Sequence, residues 1–304
     1  MKVGIIGGAG TLGSSIGFYL ATKNIVEEIV LIDVKENVLK AHVMDMEQAI
    51  SALNSTTIRV GDWEALQGCH IVIMAASVPE RNAQSRVEYL EDNLKIVRNV
   101  AGQIGRYCPD AIVINATNPV DVFNYILCGL TGMPARQFIG FSRNDSIRFR
   151  WTIGKILGVP ATDVEALVIG EHGEAQVPLY SRVTVKGKAV ELNPLQKVEV
   201  DKLIKTWFTT YVSLNSGRSS GWTSAVTIGQ IIEVIVNGSE EILACSAILD
   251  GQYGLTGISI GVPVVLGPKG ITQLVELPLS EEEITGLQAA AKKIKELIHR
   301  VSWQ

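Results

Sequence analysis

The chain has 304 residues, 47% of them hydrophobic, and a formal net charge of −4. That supplies core enough for two joined domains, and the mild charge, with no block of one sign, argues against nucleic acid or a membrane surface as partner. The longest apolar runs (residues 111–116 and 258–266) are too short to span a bilayer, no room is left for a signal peptide, and four scattered cysteines lack metal-ligand or redox spacing, so a cytoplasmic protein is expected.

Residues 2–6 form a short β-branched run, followed by Gly7-Gly-Ala-Gly10-Thr11-Leu12-Gly13 and an apolar-periodic segment to about residue 22. Strand, glycine turn and helix are the setting of a dinucleotide fingerprint. The first glycine permits the tight turn, the second lets backbone approach a pyrophosphate, and the third lets helix pack on strand. No Lys-Ser/Thr pair follows, which excludes a nucleoside-triphosphate loop. The triplet alone is a weak signal. A second strand, residues 28–32, ends in Asp33, twenty residues after Gly13. A carboxylate there either accepts the adenosine ribose hydroxyls, favouring NAD over NADP, or is simply a solvated strand end.

Residues 37–50 read as a helix, and residues 58–60 and 70–76 as strands, the last ending in Ala75 and Ala76. A polar stretch follows, Ser77-Val-Pro-Glu80-Arg81-Asn-Ala-Gln-Ser85, and then a helix over residues 86–107 with one apolar face. Arg86 heads that helix, where the dipole prefers an anion. It is either a solvated surface group or one that a closing loop brings onto a substrate. Residues 111–116 make another strand, with Thr117-Asn118-Pro119 at the end where open α/β sheets bind ligands. With residues 138–141 as a further strand, the alternation implies a parallel doubly wound sheet.

Residues 142–157 then open a helix with Asp145 and Arg148 three apart, pointing the same way. Either they pair with one another, or Asp145 orients a histidine while Arg148 forks onto a carboxylate. One strand over residues 163–169 leads to Gly170-Glu171-His172-Gly173-Glu174, a histidine held between glycines. A hairpin (residues 183–190), helices (195–213 and 222–236), antiparallel strands (241–249, 258–265 and 271–275) and a terminal helix from 281 with a Ser280/Glu283 capping box complete the chain. The expected architecture is α/β: a Rossmann domain over residues 1–142 and a C-terminal α+β catalytic domain over residues 143–304.

Taken in order, Gly7-x-x-Gly10-x-x-Gly13, Asp33, Asn118-Pro119, Asp145-Ser-Ile-Arg148-Phe-Arg150 and Gly170-Glu-His172-Gly-Glu174 resemble the L-lactate/malate dehydrogenase family over essentially the whole chain. Asn93, seven residues after Arg86, also matches. The resemblance implies NAD as cofactor and hydride transfer between an L-2-hydroxy acid and its 2-oxo acid. It implies His172 as proton donor and acceptor, Asp145 as its orienting partner, Arg148 as carboxylate anchor and Arg86 as the group polarising the carbonyl. Asn118 and Ser224 would line the substrate pocket and Ile228 would pack on the nicotinamide. Gly7, Gly10, Thr11, Leu12, Gly13, Asp33, Ala75, Ala76, Ser77, Asn93, Thr117 and Asn118 would hold the rest of the cofactor. A homodimer or homotetramer is implied, joined through the helices near residues 37–50 and 222–236.

This chain departs from the family pattern in four places. Glu80 occupies the discriminating position, where lactate-type members typically carry glutamine and malate-type members arginine; a glutamate there would repel a second carboxylate. Arg81 is adjacent, and presenting it instead would make a malate enzyme. The loop lacks its usual glycine, Ser77 replaces a glycine, and Arg143-Asn144 precede Asp145 where an apolar residue is usual. A substrate other than plain malate is expected. Two further readings are an NAD-dependent glycosidase relative, for which no cysteine–histidine metal site is visible, and a catalytically silent NAD(H) sensor, which would have no need of Asp145, Arg148 and His172 together.

Overall fold

Six short strands form a parallel sheet in the order β3-β2-β1-β4-β5-β6: β1 (Lys2–Ile6), β2 (Glu28–Ile32), β3 (Thr57–Val60), β4 (Ile71–Met74), β5 (Ile112–Asn115) and β6 (Phe138–Gly140). The computed structural model describes residues 1–78, 86–216, 220–301 and 303, with the side chains of all of these but residues 86–88. Strands β1, β2, β4 and β5 are near-continuous Val/Ile runs because both faces are covered. The covering helices are α1 (Thr11–Lys23), α2 (Glu36–Ser51), α3 (Arg86–Tyr107) and α4 (Val120–Thr131). On α3 the predicted stripe is buried at Leu90, Leu94, Val97, Ala101 and Ile104, as the three-and-four spacing requires.

The chain order reverses between β1 and β4, which places the ligand crevice at their carboxyl ends.

After β6 come α5 (Arg143–Leu157), β7 (Val164–Glu165), β8 (Val168–Gly170), β9 (Gln176–Pro178), β10 (Thr184–Val185), β11 (Lys188–Ala189), α6 (Pro194–Ser213), α7 (Trp222–Asn237), β12 (Ile242–Asp250), β13 (Thr256–Gly267), β14 (Gly270–Leu274) and α8 (Glu281–Arg300). The sheet does not stop at the end of the first half. Ser246 of β12 pairs with Gly140 of β6, and the order continues through β13, β8 and β9. A small second core, including Phe149, Ile153, Val200 and Ile204, sits between α5, α6 and the three-stranded sheet β11-β10-β7.

One strand reading is corrected. The run expected as a single strand over residues 163–169 is two, β7 and β8, in different sheets. At the break α5 takes two backbone groups: Arg150 Nε donates to Ala166 O (3.1 Å), and Val168 N, at the start of β8, donates to Ser146 Oγ (3.0 Å). Strand β9, which sequence periodicity did not reveal, turns the histidine segment into a hairpin loop. Among the described residues no helix is long and apolar enough to cross a membrane.

Candidate active site

The glycine turn fits a dinucleotide on two observations. Gly7 has φ +94°, and a Cβ there would lie 2.6 Å from Ala76 N and 2.7 Å from the Ala75 carbonyl carbon. At Gly13 a Cβ would lie 2.2 Å from Gly7 O, so α1 begins hard against the turn, with no side chain between. The first intrahelical bond is Ser14 N to Gly10 O, which leaves the amides of Thr11, Leu12 and Gly13 ahead of it as orphan donors at the positive end of the helix. Asp33, at the end of β2, accepts from Ala9 N and Lys35 N, both at 3.0 Å. It therefore fixes the glycine turn itself, with lone pairs to spare for further donors.

Three other sequence candidates are committed within the protein. Thr117 Oγ1 donates to Ala76 O (2.9 Å), tying the end of β5 to that of β4. Asn93 is fully buried, accepting from Val78 N and donating to Tyr89 O. Ile228 on α7 is wholly within the main core. None of the three offers a free polar side chain, and Asn93 and Ile228, with no accessible surface, stand behind the crevice wall instead of lining it. Ser77 and Asn118 are exposed at the ends of their strands, and Ser224 is buried on α7. Glu80 and Arg81 lie outside the described residues, and so does the side chain of Arg86.

Asp145 contacts both the histidine and Arg148. Its Oδ2 lies 2.6 Å from His172 Nδ1, and its Oδ1 lies 3.4 Å from Arg148 Nη1. The carboxylate is almost fully buried in the first turn of α5, where the helix dipole favours an anion. Burial disfavours a charged imidazole at His172. The charge and hydrogen bond of Asp145, with Asp121 adding to them, outweigh that, and the histidine is held above its ordinary range. Nδ1 is thus occupied, leaving Nε2 as the ring nitrogen for proton exchange.

Asp121 was visible in the sequence only as the residue two past Pro119. Its Oδ2 accepts the backbone amide of His172 at 2.7 Å. Burial pushes its carboxyl up to about 6, although the amide and ring of His172 both favour its charge. The rest of the β8–β9 loop is pinned as closely. Glu171 Oε2 accepts from Ala175 N and from Lys293 Nζ of α8, each at 2.8 Å. Ser146 and Arg150, which share α5 with Asp145 and Arg148, hold the strand that leads into the loop. Apart from the local Glu171–Ala175 bond, sequence spacing gives no sign of these partners, which lie from 16 to 122 residues apart.

A sheet ordered 3-2-1-4-5-6, with a glycine turn at its switch point and a buried His–Asp pair beside an arginine, defines a dinucleotide-dependent oxidoreductase of Rossmann type. Residues 1–140 match the lactate/malate dehydrogenase NAD-binding domain, and residues 143–302 match the lactate/malate dehydrogenase alpha/beta C-terminal domain. The chain belongs to the lactate/malate dehydrogenase family and is an NAD-dependent oxidoreductase. It is 32% identical to a malate dehydrogenase of Natronomonas pharaonis over 99% of both chains. It is also 29% identical to an L-lactate dehydrogenase of Acetivibrio thermocellus, over 98% of this chain and 96% of that one. Its fold superposes on a crystal structure of Cryptosporidium parvum malate dehydrogenase with a TM-score of 0.92 at 32% identity, covering 98% of each chain.

Proposed function

We propose that this enzyme interconverts an L-2-hydroxy acid and its 2-oxo acid, with residues 1–142 binding NAD and residues 143–304 supplying the substrate groups. The observation that carries the reading is the 2.6 Å contact between His172 Nδ1 and Asp145 Oδ2, made beside Arg148. The bound nicotinamide supplies or accepts the hydride. His172 gives the proton to the carbonyl oxygen in reduction and takes it back in oxidation, through Nε2. Asp145 fixes the ring and favours its charged form. Arg148 binds the substrate carboxylate, a planar anion that its fork matches on two N–H groups. Arg86 and Asn118 polarise and orient the carbonyl, and Ser224 lines the pocket. Asp121 holds the His172 backbone. The glycine turn (Gly7, Gly10, Thr11, Leu12, Gly13) carries the pyrophosphate, Asp33 the adenosine ribose, and residues 75–77, 117 and 118 form the remaining cofactor wall, with the fully buried Asn93 and Ile228 supporting it from behind.

The substrate we favour is a 2-oxo acid other than oxaloacetate, because Glu80 would face any second carboxylate with a like charge. The second reading, a malate enzyme that uses Arg81, is favoured by the malate dehydrogenases among the relatives. A panel of 2-oxo acids with NADH separates the two, repeated with Glu80→Gln and Glu80→Arg. Oxaloacetate reduced far faster than all others by the unaltered chain would reject our preference. His172→Ala should lower turnover by roughly 10²–10⁴-fold while NADH still binds, as followed by nicotinamide fluorescence. Unchanged turnover removes His172 from its role, and NADH binding with no turnover of any 2-oxo acid by the parent chain indicates a sensor. A cytoplasmic homodimer or homotetramer completes the proposal.

A further inference from the structure

Helix α6 carries one stripe at positions 200, 204, 207 and 211, the i, i+4, i+7 and i+11 positions of a single face. The first two, Val200 and Ile204, are buried in the small core against Phe149 and Ile153 of α5. The next two are Trp207 and Tyr211, half-buried and stacked on each other with centroids 5.3 Å apart and planes 16° apart. The stripe therefore runs past the end of the core it serves. What its aromatic end covers is Arg148: the guanidinium carbon lies 4.3 Å from the Trp207 ring centroid.

An arginine that binds a carboxylate on two N–H groups must present its plane edge-on to the ligand, with the faces of that plane in another environment. Here the Nη1 edge reaches Asp145 Oδ1 at 3.4 Å, and the guanidinium carbon sits over the indole ring. Both contacts constrain the guanidinium without using the whole hydrogen-bonding edge. The indole also excludes water from the face that it covers, so a carboxylate arriving at the edge displaces less solvent.

We propose that Trp207, backed by Tyr211, is a positioning residue that fixes the plane of Arg148 for two-point binding of the substrate carboxylate. This rests on the reading of Arg148 as the carboxylate anchor. It assigns part of the specificity for a 2-oxo carboxylate to α6, an element to which sequence patterning gives no role in the site. It also accounts for the choice of tryptophan at position 207, since an aliphatic residue would bury as well but would give the cation no π-face.

The test is a double-mutant cycle in the full chain, read as KM for the 2-oxo acid that the panel shows to be turned over best, with kcat and the NADH dissociation constant measured beside it. Trp207→Leu should raise KM by roughly 5- to 30-fold, the equivalent of one cation–π contact of about 1–2 kcal/mol. kcat should change by less than about twofold and NADH binding should stay constant, because only the carboxylate end is loosened. Trp207→Phe should recover most of the loss. Arg148→Lys should itself raise KM, and on that background Trp207→Leu should add less than about twofold, because an ammonium has no plane to hold. An unchanged KM in Trp207→Leu overturns the proposal. So does an equal penalty on both backgrounds, or a phenylalanine no better than leucine, since each indicates packing alone. If Arg148→Lys leaves KM unchanged, the anchor reading itself fails and the proposal falls with it.

Discussion

Asp145 divides its two oxygens between a histidine and an arginine, and its contact with the histidine favours the charged ring. In the proposed role of His172, reduction of a carbonyl would need the ring protonated, so its rate should fall as pH rises through the histidine's pKa; oxidation would need the neutral ring and should rise through the same pKa. Asp145, with Asp121 behind it, holds that pKa above the ordinary value against the pull of burial. In Asp145→Asn the largest favourable contribution disappears while burial stays, so the histidine should titrate below its ordinary range. The reduction limb of the pH–rate profile should then move to lower pH, and the oxidation limb should open at lower pH with it. A profile of kcat/KM in both directions checks this. Limbs that stay where they are in the variant would show that Asp145 does not govern the proton on His172. The residue pair was legible in the sequence as a candidate, because three-residue spacing on a helix has few geometric outcomes. Asp121 and Trp207 were not, because their partners His172 and Arg148 lie 51 and 59 residues away in the chain and only the tertiary fold brings them together.

At the scale of elements, the Rossmann strands and helices were readable because each is buried by its own local pattern: continuous apolar runs for strands, threes and fours for α3. Failure came where a distant side chain overrides the local pattern. Residues 163–169 look like one strand, yet it divides where Arg150 and Ser146 of α5 take Ala166 O and Val168 N. The same contrast holds at α8. The Ser280/Glu283 capping box was visible from spacing and is present, with Glu283 Oε2 accepting Ser280 N at 2.9 Å. Not visible was the further work of Glu283, which accepts Ser181 N at 3.1 Å and Ser181 Oγ at 2.8 Å just past β9. The helix start is thereby riveted to the chain leaving the histidine hairpin. Glu283→Ala strips partners from three donors in a largely buried setting and should cost about 2–4 kcal/mol, whereas Ser280→Ala, losing one cap bond, should cost about 1 kcal/mol. Chemical denaturation of both variants checks the order. Equal losses would mean that the Ser181 bonds contribute nothing beyond the cap.

At the scale of the whole molecule, two family domains share one sheet. β6 closes the first half and pairs with β12 of the second, and Asn124 of α4 donates to Ser246 O and Ser259 Oγ on β12 and β13. With its interior joined in this way, the apolar surface left outside calls for another explanation. On α2, Met44 is 64% exposed and Val38 42%. Val226 and Val236 are exposed on α7, and Phe18 is exposed on α1, which packs against both helices. α2 and α7 have 16 residues each, so each is about 24 Å long and with its side chains about 10 Å across. α1 packs against both, and a standard interface would bury roughly 800 Å² on each partner. If the proposed homo-oligomer forms through these helices, a two-fold arrangement would bring them against their own copies. Met44→Glu would then place a carboxylate against its symmetry mate and should shift the protein to monomer in sedimentation equilibrium. Phe208→Glu, a charge on the equally apolar outer side of α6, should leave the assembly intact. A parent chain that sediments as a monomer removes the interface altogether, and dissociation by Phe208→Glu but not by Met44→Glu moves it to α6, the helix that also covers Arg148.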